Sequence, residues 1–215
     1  AVATSDVVLN AYNGTGKFAD IGKLDNLRVI GAVYTSVLSG VALKSSGLTY
    51  IHDLLGKRVA VGPAASATEN ATLAAFAAMD IILDAAFGFA GLPIGGQLNL
   101  AATKEIQVLD MTQEEIDKVL AGNAAYIQTK IPAGTYTGQD NDANTFGVKC
   151  LIIVTADMDA DLVYDLCKAM NEHTEEMAAG NALLKDMTDP SFLCTQMPIP
   201  LHDGAQKYYS EQGLI

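Results

Sequence analysis

The residues best suited to chemistry in this sequence form a short polar run, Ser66-Ala67-Thr68-Glu69. Ser66 and Glu69 have the spacing of a capping box, in which a serine begins a helix and a glutamate hydrogen-bonds back to it. The first turn of such a helix presents free backbone N–H groups and a partial positive charge. The run therefore predicts an anion site built from backbone and hydroxyl groups. The same pattern is equally that of a helix start without a ligand, and Glu69 either closes the box or accepts from a ligand ammonium group.

The neighbouring residues indicate which elements position this run. Residues 57–62 alternate as a β-strand bounded by glycines, and residues 63–65 are a loop of small residues. A helix is predicted to continue through residues 72–79, with one apolar face. A strand, a tight loop and a helix N-terminus would thus present Ser66 at the end of the strand.

Composition limits the classes of partner. The chain has 215 residues, of which 50% are hydrophobic and 18% are charged, so it can form one large or two small domains with a substantial core. Its net charge of −12 repels nucleic-acid phosphates and anionic lipid. No apolar run is long enough to span a membrane, and no signal-peptide pattern begins at Ala1. We predict no nucleic-acid partner.

The cysteines and histidines show no spacing typical of a metal site. We interpret Cys150, Cys167 and Cys194 as small buried hydrophobic residues. A Cys167–Cys194 disulfide is the alternative in an oxidising compartment. We interpret the histidines as structural or surface residues and predict neither a metal nor a cofactor; they are His52, His173 and His202.

The remaining elements alternate between strands and helices, which predicts an α/β fold with a mainly parallel sheet. The predicted strands are residues 28–34, 38–43 and 146–154. Thr112 and Glu115 form a second capping box, and residues 132–142 form a long irregular loop of the kind that is often functional. Asp159 is predicted to begin a helix whose buried side carries Leu162, Val163, Leu166, Met170 and Met177.

Five separate blocks, in the same order as in the family, resemble TAXI-type solute-binding proteins of the TRAP transporter family. The blocks are NAYNGTG at 10–16, DLLGKRVAVGPAASATE at 53–69, AGLP at 90–93, IPAGTYTGQD at 131–140 and PLHDGAQKYY at 200–209. The chain departs from the usual family pattern at Leu55, Ala65, Ala67, Thr137 and Asp203.

The resemblance implies a two-lobed, periplasmic-binding-protein-like (type II) fold with mainly parallel sheets. Residues 1–45 and 156–215 would form the first lobe, incomplete at its N-terminus. Residues 46–155 would form the second lobe, shortened near residues 79–84. The chain is then expected to be a mature or shortened form of an exported protein.

The implied function is that of a periplasmic (extracytoplasmic) receptor. It would capture a small anionic metabolite, glutamate or a C4–C5 dicarboxylate, between the lobes and deliver it to the ion-coupled membrane subunits of a TRAP transporter. A neutral or zwitterionic ligand stays open, and the receptor itself would not be an enzyme.

The ligand-binding residues that the resemblance implies are Ser66, Ala67, Thr68, Glu69, Tyr12, Asn13, Gly91, Pro93 and Tyr136. Tyr12 and Asn13 are alternatively a packed aromatic residue and a turn. Tyr136 either closes over the ligand or pins its loop. His202, Lys207 and the tyrosines at 208 and 209 are expected to pack or dock.

Two rival functions use the same features. The chain would serve equally as the ligand-binding module of a signalling receptor. A hydrolase using Ser66 is the enzymatic alternative, but the sequence has no GxSxG, Walker or GxGxxG pattern, and no histidine stands in a recognisable relation to Ser66.

Overall fold

The computed structural model describes residues 1–55, 87–94, 97–98, 101–102 and 105–215. The chain divides into two compact units, residues 1–35 with 148–215 and residues 36–147. The sequence predicts two lobes that capture a ligand between them, and that division and role stay a prediction. The predicted strand at 57–62, the helix at 72–79 and the shortening near 79–84 lie outside the described residues.

The strands and helices follow in chain order. The strands are β1 (Val2–Thr4), β2 (Leu27–Leu43), β3 (Phe87–Ala90), β4 (Ile106–Val108), β5 (Tyr126–Ile131) and β6 (Ala143–Thr155). The α-helices are α1 (Ser5–Asn13), α2 (Gln113–Gly122), α3 (Ala160–Glu172), α4 (Thr174–Gly180) and α5 (Asp203–Glu211). Short 3₁₀ turns occupy Gly16–Phe18, Lys44–Ser46, Ile51–Leu54, Ala182–Thr188 and Pro190–Leu193.

The described strands pair antiparallel, so the predicted mainly parallel sheet is wrong for this part of the chain. In the sheet, β6 lies beside β1 and β2, and β2 also pairs with β3 and β4. Val2 faces Ile152, Val37 faces Ala90 and Val41 faces Val108, each in an antiparallel register. Parallel pairing occurs at the isolated bridges Val29–Leu201 and Tyr50–Asp110.

The cause of the error lies in two long strands. Residues 145–151 of β6 are all buried, so both faces of this strand are covered, a pattern typical of parallel sheets, although β6 pairs with β1 in an antiparallel register. The two strands predicted at 28–34 and 38–43 are one strand of 17 residues. Thr35-Ser36-Val37 contains no glycine or proline, and threonine and valine favour the extended backbone.

Local signals elsewhere are confirmed. The Thr112 side chain accepts from the Glu115 N–H, and the Glu115 carboxylate accepts from the Thr112 N–H at 2.7 Å, which begins α2 as a capping box. The Asp159 side chain accepts from the Leu162 N–H and begins α3. Residues 132–142 form the predicted irregular connection between β5 and β6.

The buried face of α3 differs from the prediction. Val163 and Cys167 are buried, whereas Leu162 and Leu166 are 48% and 39% exposed. The predicted stripe also ran into Met177, but α3 ends at Glu172 and Met177 belongs to α4. The prediction thus continues one 3.6-residue helical period across the break between α3 and α4.

All three cysteines are buried thiols, which confirms their interpretation as small core residues. Cys167 donates from its Sγ to the Ile30 carbonyl oxygen at 3.6 Å. Burial raises the pKa of the Cys167 thiol to about 11. Such a thiol is a poor nucleophile at neutral pH, because the thiolate is the reactive form.

Helices α3 and α5 approach each other closely at Gly204, in the block PLHDGA. His202 begins α5, and its Nδ1 accepts from the Gly204 N–H at 3.2 Å. A Cβ on Gly204 would clash with the Ala160 carbonyl oxygen and lie 2.9 Å from the Tyr164 backbone nitrogen. Tyr208 and Tyr209 of the same block are buried, and Lys207 places its Nζ 5.0 Å from the Tyr164 ring centroid. This block therefore packs the end of the chain.

Lys149 is the charged group most deeply buried in the unit formed by residues 1–35 and 148–215, with 3% of its surface exposed. Its Nζ donates to the carbonyl oxygens of Phe192 and Thr195, each at 2.9 Å, and lies 4.3 Å from the Phe192 ring centroid. Burial lowers the pKa of Lys149 from 10.5 to about 8, against opposing effects of Cys194, Asp189 and Asp186. The ammonium group ties the segment around Pro190–Leu193 to strand β6.

We expect Gly204→Ala to lower the free energy of unfolding by about 3 kcal/mol, because the new methyl group meets backbone atoms that cannot rotate away. Urea unfolding followed by circular dichroism measures the change. Gly122→Ala is the matched control, since a Cβ there meets nothing within 4 Å. Equal stability of the two variants would show that α3 and α5 are not packed as described.

We expect Lys149 to make the stability of the protein rise between about pH 8 and pH 10.5. In this range the unfolded lysine keeps its proton while the folded one has lost it, so the unfolded state binds more protons. Relative to Lys149→Met, the wild type should gain on the order of 3 kcal/mol across this window. Urea unfolding at several pH values measures the difference. Parallel pH curves for the wild type and the variant would contradict the burial of this ammonium group.

Candidate functional site

The predicted anion site, Ser66-Ala67-Thr68-Glu69, lies outside the described residues. Its geometry is therefore still a prediction, and the site is built below from the other predicted residues.

Tyr12 and Asn13 end helix α1. Tyr12 is half-buried against a hydrophobic cluster that includes Val8 and Leu151, whereas Asn13 is exposed. Gly14 follows with a left-handed φ of 64°, and a Cβ there would lie 2.8 Å from Gly22 backbone carbon. The glycine of this block is thus required by the turn, and the ligand role of Tyr12 and Asn13 stays a prediction.

Gly91 and Pro93 lie in the turn that follows β3, where the Leu92–Pro93 peptide bond is cis. Gly91 is half-buried and Pro93 is exposed. The Tyr136 hydroxyl oxygen accepts from the Ile94 N–H at 3.1 Å. The structure thereby places Tyr136 of the block at 131–140 next to the turn that contains Gly91 and Pro93.

A buried polar network supports this turn. Ser39, on β2, donates from its hydroxyl to the Gln97 side-chain oxygen at 2.7 Å, and the Gln97 amide nitrogen donates to the Ser39 carbonyl oxygen at 2.9 Å. The Ser39 hydroxyl also makes a hydrogen-bonding contact with that of Tyr136. Ser39 is fully buried and Tyr136 is 2% exposed. The turn is therefore held from β2 on one side and from the 132–142 loop on the other.

Burial raises the pKa of the Tyr136 hydroxyl above its usual value, against smaller opposing effects of the Ile94 N–H and Ser39. The group is thus a neutral hydrogen-bonding phenol at physiological pH. Through its hydrogen bond with the Ile94 N–H, Tyr136 holds the 132–142 loop against the turn that follows β3. A contact of Tyr136 with a ligand stays a prediction.

A polar cavity of about 410 Å³ lies in the unit formed by residues 36–147. Its lining residues are Lys44, Thr49, Ile106, Gln107, Val108, Asp110, Gly138, Gln139, Asp140, Asn141, Asp142 and Ala143. Sequence reasoning singled out only part of it, the end of the 132–142 loop, as functional. Its other lining residues come from segments far apart in sequence, and their spacing carries no signal of a common site.

In the part of the chain that the structure describes, no group of three or more His, Cys, Asp or Glu residues could hold a metal ion. In the same part of the chain, no helix is both long and apolar enough to cross a membrane.

One protein family matches almost the whole chain. The model of the NMT1-like family matches residues 1–85 and 73–213. The chain belongs to the NMT1-like family. This family is periplasmic-binding-protein-like, its general role is extracytoplasmic solute binding, and its members are generally not enzymes. The resemblance to solute-binding proteins seen in the sequence is confirmed at this level.

We expect Tyr136→Phe to lower the free energy of unfolding by about 1–2 kcal/mol, because the partly buried Ile94 N–H loses its acceptor. Thermal and urea unfolding measure the change. Tyr12→Phe is the matched control, since among the described residues no hydrogen bond to the Tyr12 hydroxyl is found. An unchanged stability in Tyr136→Phe would show that the hydroxyl does not pin the turn.

Proposed function

We propose that the protein is a TAXI-type receptor of a TRAP transporter, which captures a small anionic metabolite outside the cytoplasm and delivers it to ion-coupled membrane subunits. The observation that carries the proposal is membership of the NMT1-like family along both matched segments. The sequence blocks at 10–16, 53–69, 90–93, 131–140 and 200–209 narrow the proposal to the TAXI type.

The proposed ligand is glutamate or a C4–C5 dicarboxylate. The capping-box pattern at 66–69 supports an anion, since a helix start offers N–H donors to a carboxylate. Arg28 donates from its guanidinium to the carbonyl oxygens of Asp25 and Leu27, each at 2.8 Å, and is thereby engaged with its own chain. We therefore propose that backbone N–H and hydroxyl groups, rather than Arg28, bind the carboxylate of the ligand.

Family membership favours binding over hydrolysis, because members of the NMT1-like family are generally not enzymes. A hydrolase using Ser66 is the alternative.

We expect glutamate or a related dicarboxylate to raise the thermal stability of the intact protein. At about 100 times its dissociation constant, a ligand adds roughly 2.7 kcal/mol to the free energy of unfolding. Ser66→Ala should remove most of this ligand-induced increment, because it removes a hydroxyl from the proposed anion site. Differential scanning fluorimetry against a panel of amino acids and dicarboxylates measures the increment.

Ser45→Ala is the matched control, because Ser45 is exposed and lies outside the proposed site. The ligand-induced increments are compared rather than the ligand-free stabilities, since loss of an N-cap serine by itself costs about 1 kcal/mol. Absence of any increment across the panel would contradict the anionic ligand. Ester hydrolysis that Ser66→Ala abolishes would contradict the receptor and favour the hydrolase.

A further inference from the structure

The turn that follows β3 carries two of the residues that the family resemblance implies as ligand-binding, Gly91 and Pro93. Pro93 is exposed, whereas Gly91, Leu92 and Ile94 are half-buried. Among the described residues, no hydrogen bond is found to the backbone N–H and carbonyl groups of Gly91 and Leu92. These backbone groups are thus available to a ligand, and contacts from outside the turn must fix its path.

Three contacts anchor this turn. The Leu92 side chain packs against a hydrophobic cluster that includes Val37 and Tyr136. The Ile94 side chain lies over β3 at Gly88, where a Cβ would come within 2.8 Å of the Ile94 Cδ1. The Ile94 N–H donates to the Tyr136 hydroxyl oxygen at 3.1 Å. The two apolar contacts are not directional, so the hydrogen bond to Tyr136 is the anchor that sets the orientation of the backbone.

A buried serine holds the Tyr136 hydroxyl in place. Ser39 is fully buried on β2, out of reach of a ligand, and its hydroxyl contacts that of Tyr136. The Ser39 hydroxyl also donates to the Gln97 side-chain oxygen at 2.7 Å, and the Gln97 N–H donates to the Ile94 carbonyl oxygen at 3.0 Å. The network thus reaches both backbone polar groups of Ile94. A satisfied polar network of this kind specifies one geometry.

We propose that Tyr136 and Ser39 are positioning residues of the ligand site, which hold the turn at 91–93 in its binding geometry without touching the ligand. This inference rests on the proposed function, because that function gives the turn its ligand. The apparent affinity of a ligand falls with the fraction of molecules in which the site has the binding geometry. Loss of either hydroxyl lowers that fraction, since a turn with one anchor fewer samples other paths.

Isothermal titration calorimetry of the intact protein with glutamate, glutarate and succinate tests the positioning role. Each probe that the wild type binds should bind about threefold or more weakly to Tyr136→Phe and to Ser39→Ala. The titrations are run at a temperature at which circular dichroism shows every variant to be folded, so that a loss of global stability does not enter the affinity.

Thr145→Val is the matched control. The Thr145 hydroxyl is also buried in the unit formed by residues 36–147, but it donates to the Leu38 carbonyl oxygen at 2.7 Å and, among the described residues, to no group of the turn. This variant should lose stability and still bind each probe as the wild type does. A loss of affinity in Thr145→Val equal to that in Tyr136→Phe would overturn the proposal, because any buried hydroxyl would then have the same effect.

Ser39→Ala separates positioning from direct contact with the ligand. If Tyr136→Phe weakens binding and Ser39→Ala does not, the Tyr136 hydroxyl contacts the ligand and the positioning role is wrong. Hydrogen exchange followed by mass spectrometry gives a readout without a ligand. Exchange at residues 91–98 should be faster in Tyr136→Phe and in Ser39→Ala than in the wild type or in Thr145→Val. Unchanged exchange in Tyr136→Phe would overturn the proposal.

The failure of this proposal is distinguishable from the failure of the receptor function. Equal affinities of the wild type, Tyr136→Phe and Ser39→Ala for a probe overturn the positioning role and leave the receptor function intact. A wild type that binds none of the probes overturns the anionic ligand of the proposed function, and the positioning role with it.

Discussion

The backbone ladders along β2 and β6 are the constraint on which the rest of the described structure depends. Strand β2 pairs with β6, β3 and β4, and β6 also pairs with β1 and β5. Each of the two strands supplies residues to both compact units. A register slip of one residue would turn every side chain of a strand to the opposite face. The buried faces of β2 and β6 and their buried polar contacts therefore require a single register in each strand.

Buried polar groups on these strands fix the position of short segments outside the sheet. Ser39 of β2 contacts Gln97, which is helical, and Lys149 of β6 donates to the backbone at Phe192, in a 3₁₀ turn, and at Thr195. In both cases the strand determines where the polar group lies, and the short segment brings the partner to it. Because a buried polar group without its partner is costly, each contact penalises alternative paths of the segment.

Features that depend on neighbours in sequence could be predicted, and those that depend on distant pairing could not. The capping box at Thr112, the helix start at Asp159 and the loop at 132–142 have local signals, and the structure confirms them. Strand direction and the union of two predicted strands into β2 are set by partners far along the chain. The polar cavity could not be predicted for the same reason, because only the fold brings Lys44, Asp110 and Gln139 to one cavity.

The family blocks show a related limit, since a matched block does not by itself locate a ligand. Gly14 is required by a left-handed turn, and Gly204 by the contact between two helices. Tyr136 pins a turn through a buried hydroxyl. These residue types follow from packing and backbone geometry alone. A ligand role for any of them needs an observation that packing does not explain.

The net charge of −12 does not decide the charge of the ligand. At physiological ionic strength, exposed charges are screened beyond about 8 Å. Recognition is then decided by the few groups within that distance of the ligand.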